Sequence, residues 1–184
     1  MEYSIDDNFL EVSQLNRIKE YLTCDTFPYY IHPEINVEYD KASPLNRDVG
    51  MGEDFHYQMS HVLYVSKSNG LKETSNFFVK DIFDPLLNKI PLKFLLRMKV
   101  NFYSRTETLE VHKMHTDYNF KHKACIFYIN SNDGYTTLEN DIKIESVENR
   151  LLTFEGHEEH CSTNCTNKKF RVNINFNYLE NDNE

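Results

Sequence analysis

The nine residues Phe170-Arg-Val-Asn-Ile-Asn-Phe-Asn-Tyr178 alternate between apolar and polar without a break. A period of two is that of a β-strand, whose successive side chains leave opposite faces. Phe170, Val172, Ile174, Phe176 and Tyr178 share one face, and Arg171, Asn173, Asn175 and Asn177 share the other. The apolar face demands a core. The polar face carries one cation and three amides, where an ordinary solvent face would mix charges. It suits the wall of a polar cavity and equally a solvent-facing edge strand, and the pattern alone leaves both open.

Short strands and turns continue upstream. Strands are predicted over 95–103, 109–115, 123–129, 136–138, 142–145, 150–154, 160–162 and 170–178, with Asn132-Asp133-Gly134 as a hairpin turn. About eight strands at this spacing suggest a sandwich, jelly roll or barrel. The first half reads differently. Residues 3–10 form a short strand and turn. Ser13 caps a helix running to about Leu22, with Leu15, Ile18 and Leu22 as its apolar stripe. Residues 25–54 are broken by Pro28, Pro33, Pro44, Gly50 and Gly52 and carry Tyr29, Tyr30 and Tyr39. This loop is a candidate lid, or else aromatic cover for the core. A strand over 55–65 and a Ser68-Asn69-Gly70 turn follow. A helix over 75–90 repeats Phe78, Ile82, Leu86 and Ile90, with Pro85 interrupting it. Helices first and strands afterwards make a mainly β chain with N-terminal helices, an α+β arrangement. One domain is expected over 1–184, with helical support over about 1–93 and a β core over about 94–179.

Composition narrows the classes. A 40% hydrophobic, 14% aromatic chain is globular rather than disordered. No stretch approaches the ~20 apolar residues of a membrane span. The acidic start lacks a signal peptide's basic region. Cys24, Cys125, Cys161 and Cys165 include no Cys-x-x-Cys pair and read as reduced thiols in a cytoplasmic setting. The net charge of −9 opposes nucleic-acid binding. It is unevenly spread: residues 89–123 are net +5 and the remainder is −14. That basic window is either a solvated face or a draw for a dianionic ligand.

Three His-x-acid triplets occur, His32-Pro-Glu34, His115-Thr-Asp117 and His157-Glu-Glu159, where chance supplies roughly one. His32 lies among prolines and reads as surface. His157 and His160 are three apart, not the four of a helical zinc-protease motif. His115 and Asp117, closing a strand, point to one side and can chelate one ion. His160, 43 residues after Asp117, supplies a third ligand from another strand. Two neutral imidazoles and a carboxylate occupy one triangular face of an octahedron and leave the other open, which is the non-haem Fe(II) pattern. A zinc site would more often close its coordination.

The ordered pieces His115-x-Asp117, Ile126-Phe-Tyr-Ile-Asn130, Asn132-Asp-Gly-Tyr-Thr136, Asn149-Arg-Leu-Leu-Thr-Phe154, His160 and Arg171 resemble the 2-oxoglutarate/Fe(II)-dependent dioxygenases of prolyl-4-hydroxylase type. Short bacteriophage-encoded members look most similar, which would place the protein in a host cytoplasm. The resemblance covers residues 94–178 well, and Ile5 to Leu10 with the helix after it look like the same family's start. It implies a double-stranded β-helix (jelly roll). It implies that His115, Asp117 and His160 bind iron, and that Arg171 pairs with the far carboxylate of 2-oxoglutarate, helped by Tyr128. His160 fits the family spacing from Phe154 and Arg171 better than His157. Asn101 and Tyr103 are further pocket candidates, and His112 is a candidate neighbour of the ligands. The implied cofactors are Fe(II), 2-oxoglutarate and O2, with ascorbate as an optional addition. The implied reaction hydroxylates an amino-acid or peptidyl, prolyl-like side chain and releases succinate and CO2. Two other readings stay in view: a non-catalytic metal- or ligand-binding β-helix, and a structural zinc protein using His157, His160, Cys161 and Cys165.

Overall fold

The computed structural model describes residues 2–32, 57–67 and 70–180. Most of the expected 25–54 loop, Tyr39 included, and residues 68 and 69 of the expected turn lie outside these. The described chain folds as β1 (Tyr3–Asp6), α1 (Val12–Thr23), β2 (Tyr30–His32), β3 (Gln58–Ser66), β4 (Lys72–Thr74), α2 (Lys80–Leu87), β5 (Leu92–Ser104), β6 (Lys123–Tyr128), β7 (Tyr135–Leu138), β8 (Ile142–Glu145), β9 (Arg150–Glu155), β10 (His160–Ser162) and β11 (Phe170–Glu180). A larger antiparallel sheet runs β1-β9-β6-β11-β5-β3-β2, with β4 on β3, and a smaller one runs β10-β7-β8. This is a double-stranded β-helix, or jelly roll. β1 to β4 join the larger sheet although they come from the first half of the chain.

The alternation in β11 sets the layers. Its strand lies between β6 and β5, so the edge-strand reading is overturned. Val172, Ile174, Phe176 and Tyr178 pack on Leu15, Ile18 and Leu22 of α1 and on Phe83 and Leu86 of α2. Sequestering such side chains from water is the main stabilising force here. A second cluster, including Ile126, Leu138, Ile144, Leu152 and Phe154, fills the space between the sheets. Arg171, Asn173, Asn175 and Asn177 face that space too, each buried.

Four local expectations change. Ser13 lies inside α1, whose cap is Glu11; the Glu11 amide donates to Gln14 Oε1 at 3.3 Å. The helix expected over 75–90 is only Lys80–Leu87 and keeps Pro85 inside it. Ser75 Oγ accepts the Phe77 amide at 3.1 Å, and this local turn displaces the early helical turns. Residues 109–115 form no continuous strand; single bridges join Val111 to Thr163 and His115 to His160. Asn132-Asp-Gly134 turns the chain from one sheet to the other instead of closing a hairpin, because β6 and β7 belong to different sheets. Gly134 is required there by crowding: an added Cβ would lie 2.4 Å from Asn164 O and 2.7 Å from Arg171 Cδ.

Candidate metal centre

His115 and His160 are held together by their own backbones. Each amide donates to the other's carbonyl at 2.9 Å. The Asp117 amide reaches Gly156 O at 3.3 Å, tying the acid to the turn before β10. These bonds bring ligand atoms of His115, Asp117 and His160 within 4.8 Å of one another. The two imidazole rings lie 4.6 Å apart, centre to centre.

Polar contacts orient each member. His160 Nδ1 donates to Glu158 O at 3.1 Å, which leaves the Nε2 lone pair 3.8 Å from Asp117 Oδ2. His160 Nε2 and His115 Nδ1 are buried with no hydrogen-bond partner. Buried nitrogens without partners are costly unless something else is bound there. Burial, with His160 adding and Asp117 opposing, pulls the His115 imidazole down to about 4 and keeps it neutral. Burial also works to neutralise Asp117, but Arg97, His160 and Asn177 outweigh it and hold the carboxyl well below its usual range. Arg97 pairs with Asp117 Oδ1, while Asn177 and Asn175 donate to Oδ2 at 2.7 and 3.3 Å. Two imidazoles and an ionised carboxylate with ligand atoms this close suit a divalent cation.

Beside this triad lies a small cleft whose wall includes His115, His160, Tyr103, Asn101, Lys99 and Ser162. Arg171 sits behind that wall, fully buried, its guanidinium 5.3 Å from the Tyr103 ring and 5.7 Å from Tyr128. Nε donates to Ser146 Oγ at 2.7 Å, Nη1 to Ser162 Oγ and to Thr163 O at 3.0 Å, and Nη2 to Thr136 Oγ1 at 3.3 Å. Tyr128 is buried and donates to the same Thr136 oxygen at 2.8 Å. Arg171 and Tyr128 therefore share one hydroxyl, and Ser162 bridges Arg171 to the cleft.

The remaining candidates separate. His112 lines the cleft, 5.2 Å from Tyr103 ring to ring. His157 stands apart beside Glu155, with Nδ1 3.7 Å from Oε2. His32 is exposed and bonds Ser60 Oγ at 2.7 Å. Cys161 and Cys165 are free, buried thiols, and among the described residues the metal-ligand grouping is His115, Asp117 and His160. The four-residue zinc arrangement is not formed. Of the basic window, Arg97 and Lys99 turn to the site, whereas Lys89, Lys93, Arg105, Lys113 and Lys121 are exposed.

Ser162, Thr136, Arg97 and Lys99 escaped the sequence reading. A signal existed: residues 97, 99, 101 and 103 share a face of β5 and pair in register with 177, 175, 173 and 171 of β11. Overlaying the two polar stripes would have found them.

Known structures give the same architecture. A 2OG-Fe(II) oxygenase family oxidoreductase from Burkholderia pseudomallei superposes with a TM-score of 0.61 at 8% identity, over 96% of this chain and 85% of that one. The fold is that of the 2-oxoglutarate/Fe(II) oxygenases. A Pseudomonas putida prolyl-4-hydroxylase shares this oxygenase fold at a TM-score of 0.53 and 10% identity, over 97% and 92% of the two chains. A Trichoplax adhaerens prolyl hydroxylase, solved with a hypoxia inducible factor peptide fragment, shares it at 0.58 and 14%, over 97% and 83%. No family model matches the chain, and no curated protein matches its sequence. No helix among the described residues is long and apolar enough to cross a membrane.

Proposed function

We propose that the protein is a 2-oxoglutarate- and Fe(II)-dependent oxygenase that hydroxylates an amino-acid or peptidyl side chain and releases succinate and CO2. The observation that carries this reading is the meeting of His115, Asp117 and His160, with the buried, unpartnered Nε2 of His160 3.8 Å from the Asp117 carboxylate. The oxygenase fold of the structural neighbours supports it. Bound Fe(II), with 2-oxoglutarate as cosubstrate, would supply the O2-activating chemistry.

The chain's own residues have separate tasks. His115, which burial keeps neutral, and His160 would each offer a ring nitrogen to the metal. Arg97 and Asn177 fix the Asp117 carboxylate in one rotamer, so it needs no reordering to bind a cation. Ser162 on the cleft wall and Arg171, Thr136 and Tyr128 behind it form one connected polar group. They supply the charge and hydroxyls that would hold the far carboxylate of the cosubstrate. Asn101, Asn173 and Asn175 give a polar wall that orients a substrate. The packed β-sheets on either side keep bulk water from the reacting centre.

A second reading, a binding β-helix without turnover, is favoured by one observation. Nε, Nη1 and Nη2 of Arg171 already donate to protein oxygens, which limits what the guanidinium can offer a carboxylate. Anaerobic addition of Fe(II) and 2-oxoglutarate separates the two. The oxygenase gives a visible charge-transfer band, and admitting O2 with substrate then yields succinate. His115→Ala and Asp117→Ala abolish both signals. Turnover that survives the double substitution rules the oxygenase reading out.

A further inference from the structure

The cleft carries charge that the triad does not use. Among the described residues on its wall, Lys99 is the one cation and none is an acid. Asp117, whose carboxylate acts on Lys99 electrostatically, already has both oxygens engaged by Arg97, Asn175 and Asn177. Lys99 has no hydrogen-bond or ion-pair partner among the described residues. Burial, reinforced by Arg97, lowers its ammonium to about 8, so it remains mostly charged at neutral pH. An unpaired ammonium on a half-buried wall is costly and is relieved by an arriving anion.

Asn175 is the register partner of Lys99 on the adjoining strand. Its Nδ2 donates to Asp117, which fixes the orientation of the amide. Its Oδ1 is then left buried, without a partner, on the same cleft wall. A cation and an unused acceptor thus stand side by side on neighbouring strands. Arg171 lies four residues further along β11, roughly 13 Å away along the strand. The two positive groups are too far apart to serve one small carboxylate.

We propose that Lys99 and Asn175 form the recognition site for the primary substrate, and that this substrate presents an α-carboxylate next to an N–H, as a free amino acid or a C-terminal residue does. The ammonium takes the carboxylate and Asn175 Oδ1 accepts the N–H. A residue inside a peptide chain has no such carboxylate and leaves Lys99 unpaired. This rests on the oxygenase reading for the location of the reacting centre, and it narrows the substrate to chain-terminal or free amino acids.

Three pools test it on the full chain loaded anaerobically with Fe(II) and 2-oxoglutarate: common free L-amino acids, their N-acetyl derivatives, and their N-acetyl amides. Binding is read by calorimetry and by perturbation of the charge-transfer band. The expected result is binding from the first pool, marking a free amino acid, or from the second, marking a C-terminal residue, and none from the amides. Lys99→Gln should weaken that binding about tenfold or more, as expected for loss of a charge-assisted bond, and Lys99→Arg should restore part of it. Affinity for 2-oxoglutarate should be the same in Lys99→Gln as in the unaltered chain. Equal binding of the amides, undiminished binding in Lys99→Gln, silence of both carboxylate pools, or weakened 2-oxoglutarate binding in Lys99→Gln would each overturn the proposal. Absence of the band with Fe(II) and 2-oxoglutarate alone marks failure of the cofactor reading instead; calorimetry with the same pools then still tests the subsite.

Discussion

At the residue scale, neighbouring charges and burial divide the work of the triad. His115 is kept neutral by burial, and Asp117 is kept ionised by Arg97, His160 and Asn177 despite burial. The linkage to stability has a definite sign. An imidazole near its ordinary value of 6.5 when unfolded, and at about 4 when folded, binds more protons in the unfolded chain. Its contribution to stability is complete above pH 6.5, falls as pH drops toward about 4, and is flat below that. Denaturant midpoints of the metal-free protein at several pH values check this: His115→Asn should flatten the slope across that window. Asp117 adds a further loss only at more acid pH. The sequence shows which three residues meet because their types and spacing restrict the choice. It does not show Arg97 or Lys99, because a lysine or arginine in a basic run is usually solvated. Only the pairing of β5 with β11 turns these two inward.

At the element scale, the strands were legible wherever alternation or β-branched and aromatic runs were strong, as in β6, β8, β9 and β11. Where backbone groups bond at isolated points, as at Val111 and His115, periodicity exaggerated the strand. The chain around Gly134 shows a different limit. Its sequence spells a tight turn, yet the glycine serves close approach of Asn164 and Arg171 rather than a positive φ. Gly134→Ala should therefore push the Arg171 side chain or the 164 backbone aside. A loss of about 1–3 kcal/mol is expected from the overpacking. Weaker 2-oxoglutarate binding should accompany it, with Fe(II) affinity nearly unchanged. Calorimetric titration of each ligand, beside a denaturant melt, separates the two effects.

At the scale of the whole molecule, β11 joins two structures that would otherwise be separate. Its apolar face closes the core over α1 and α2, and its polar face supplies Arg171 and the asparagines that brace Asp117. A chain ended at residue 169 should lose the cooperative melt and Fe(II) binding together, which circular dichroism and metal titration would show. Because this strand lies in the middle of the larger sheet yet comes after every other strand, β1-β9-β6 and β5-β3-β2 have open inner edges until it arrives. During synthesis, the chain through β11 must leave the ribosome before the asparagines that brace Asp117 can reach it. Until then the Asp117 carboxylate lacks two of its donors, so the grouping of His115, Asp117 and His160 closes as one of the last events of folding.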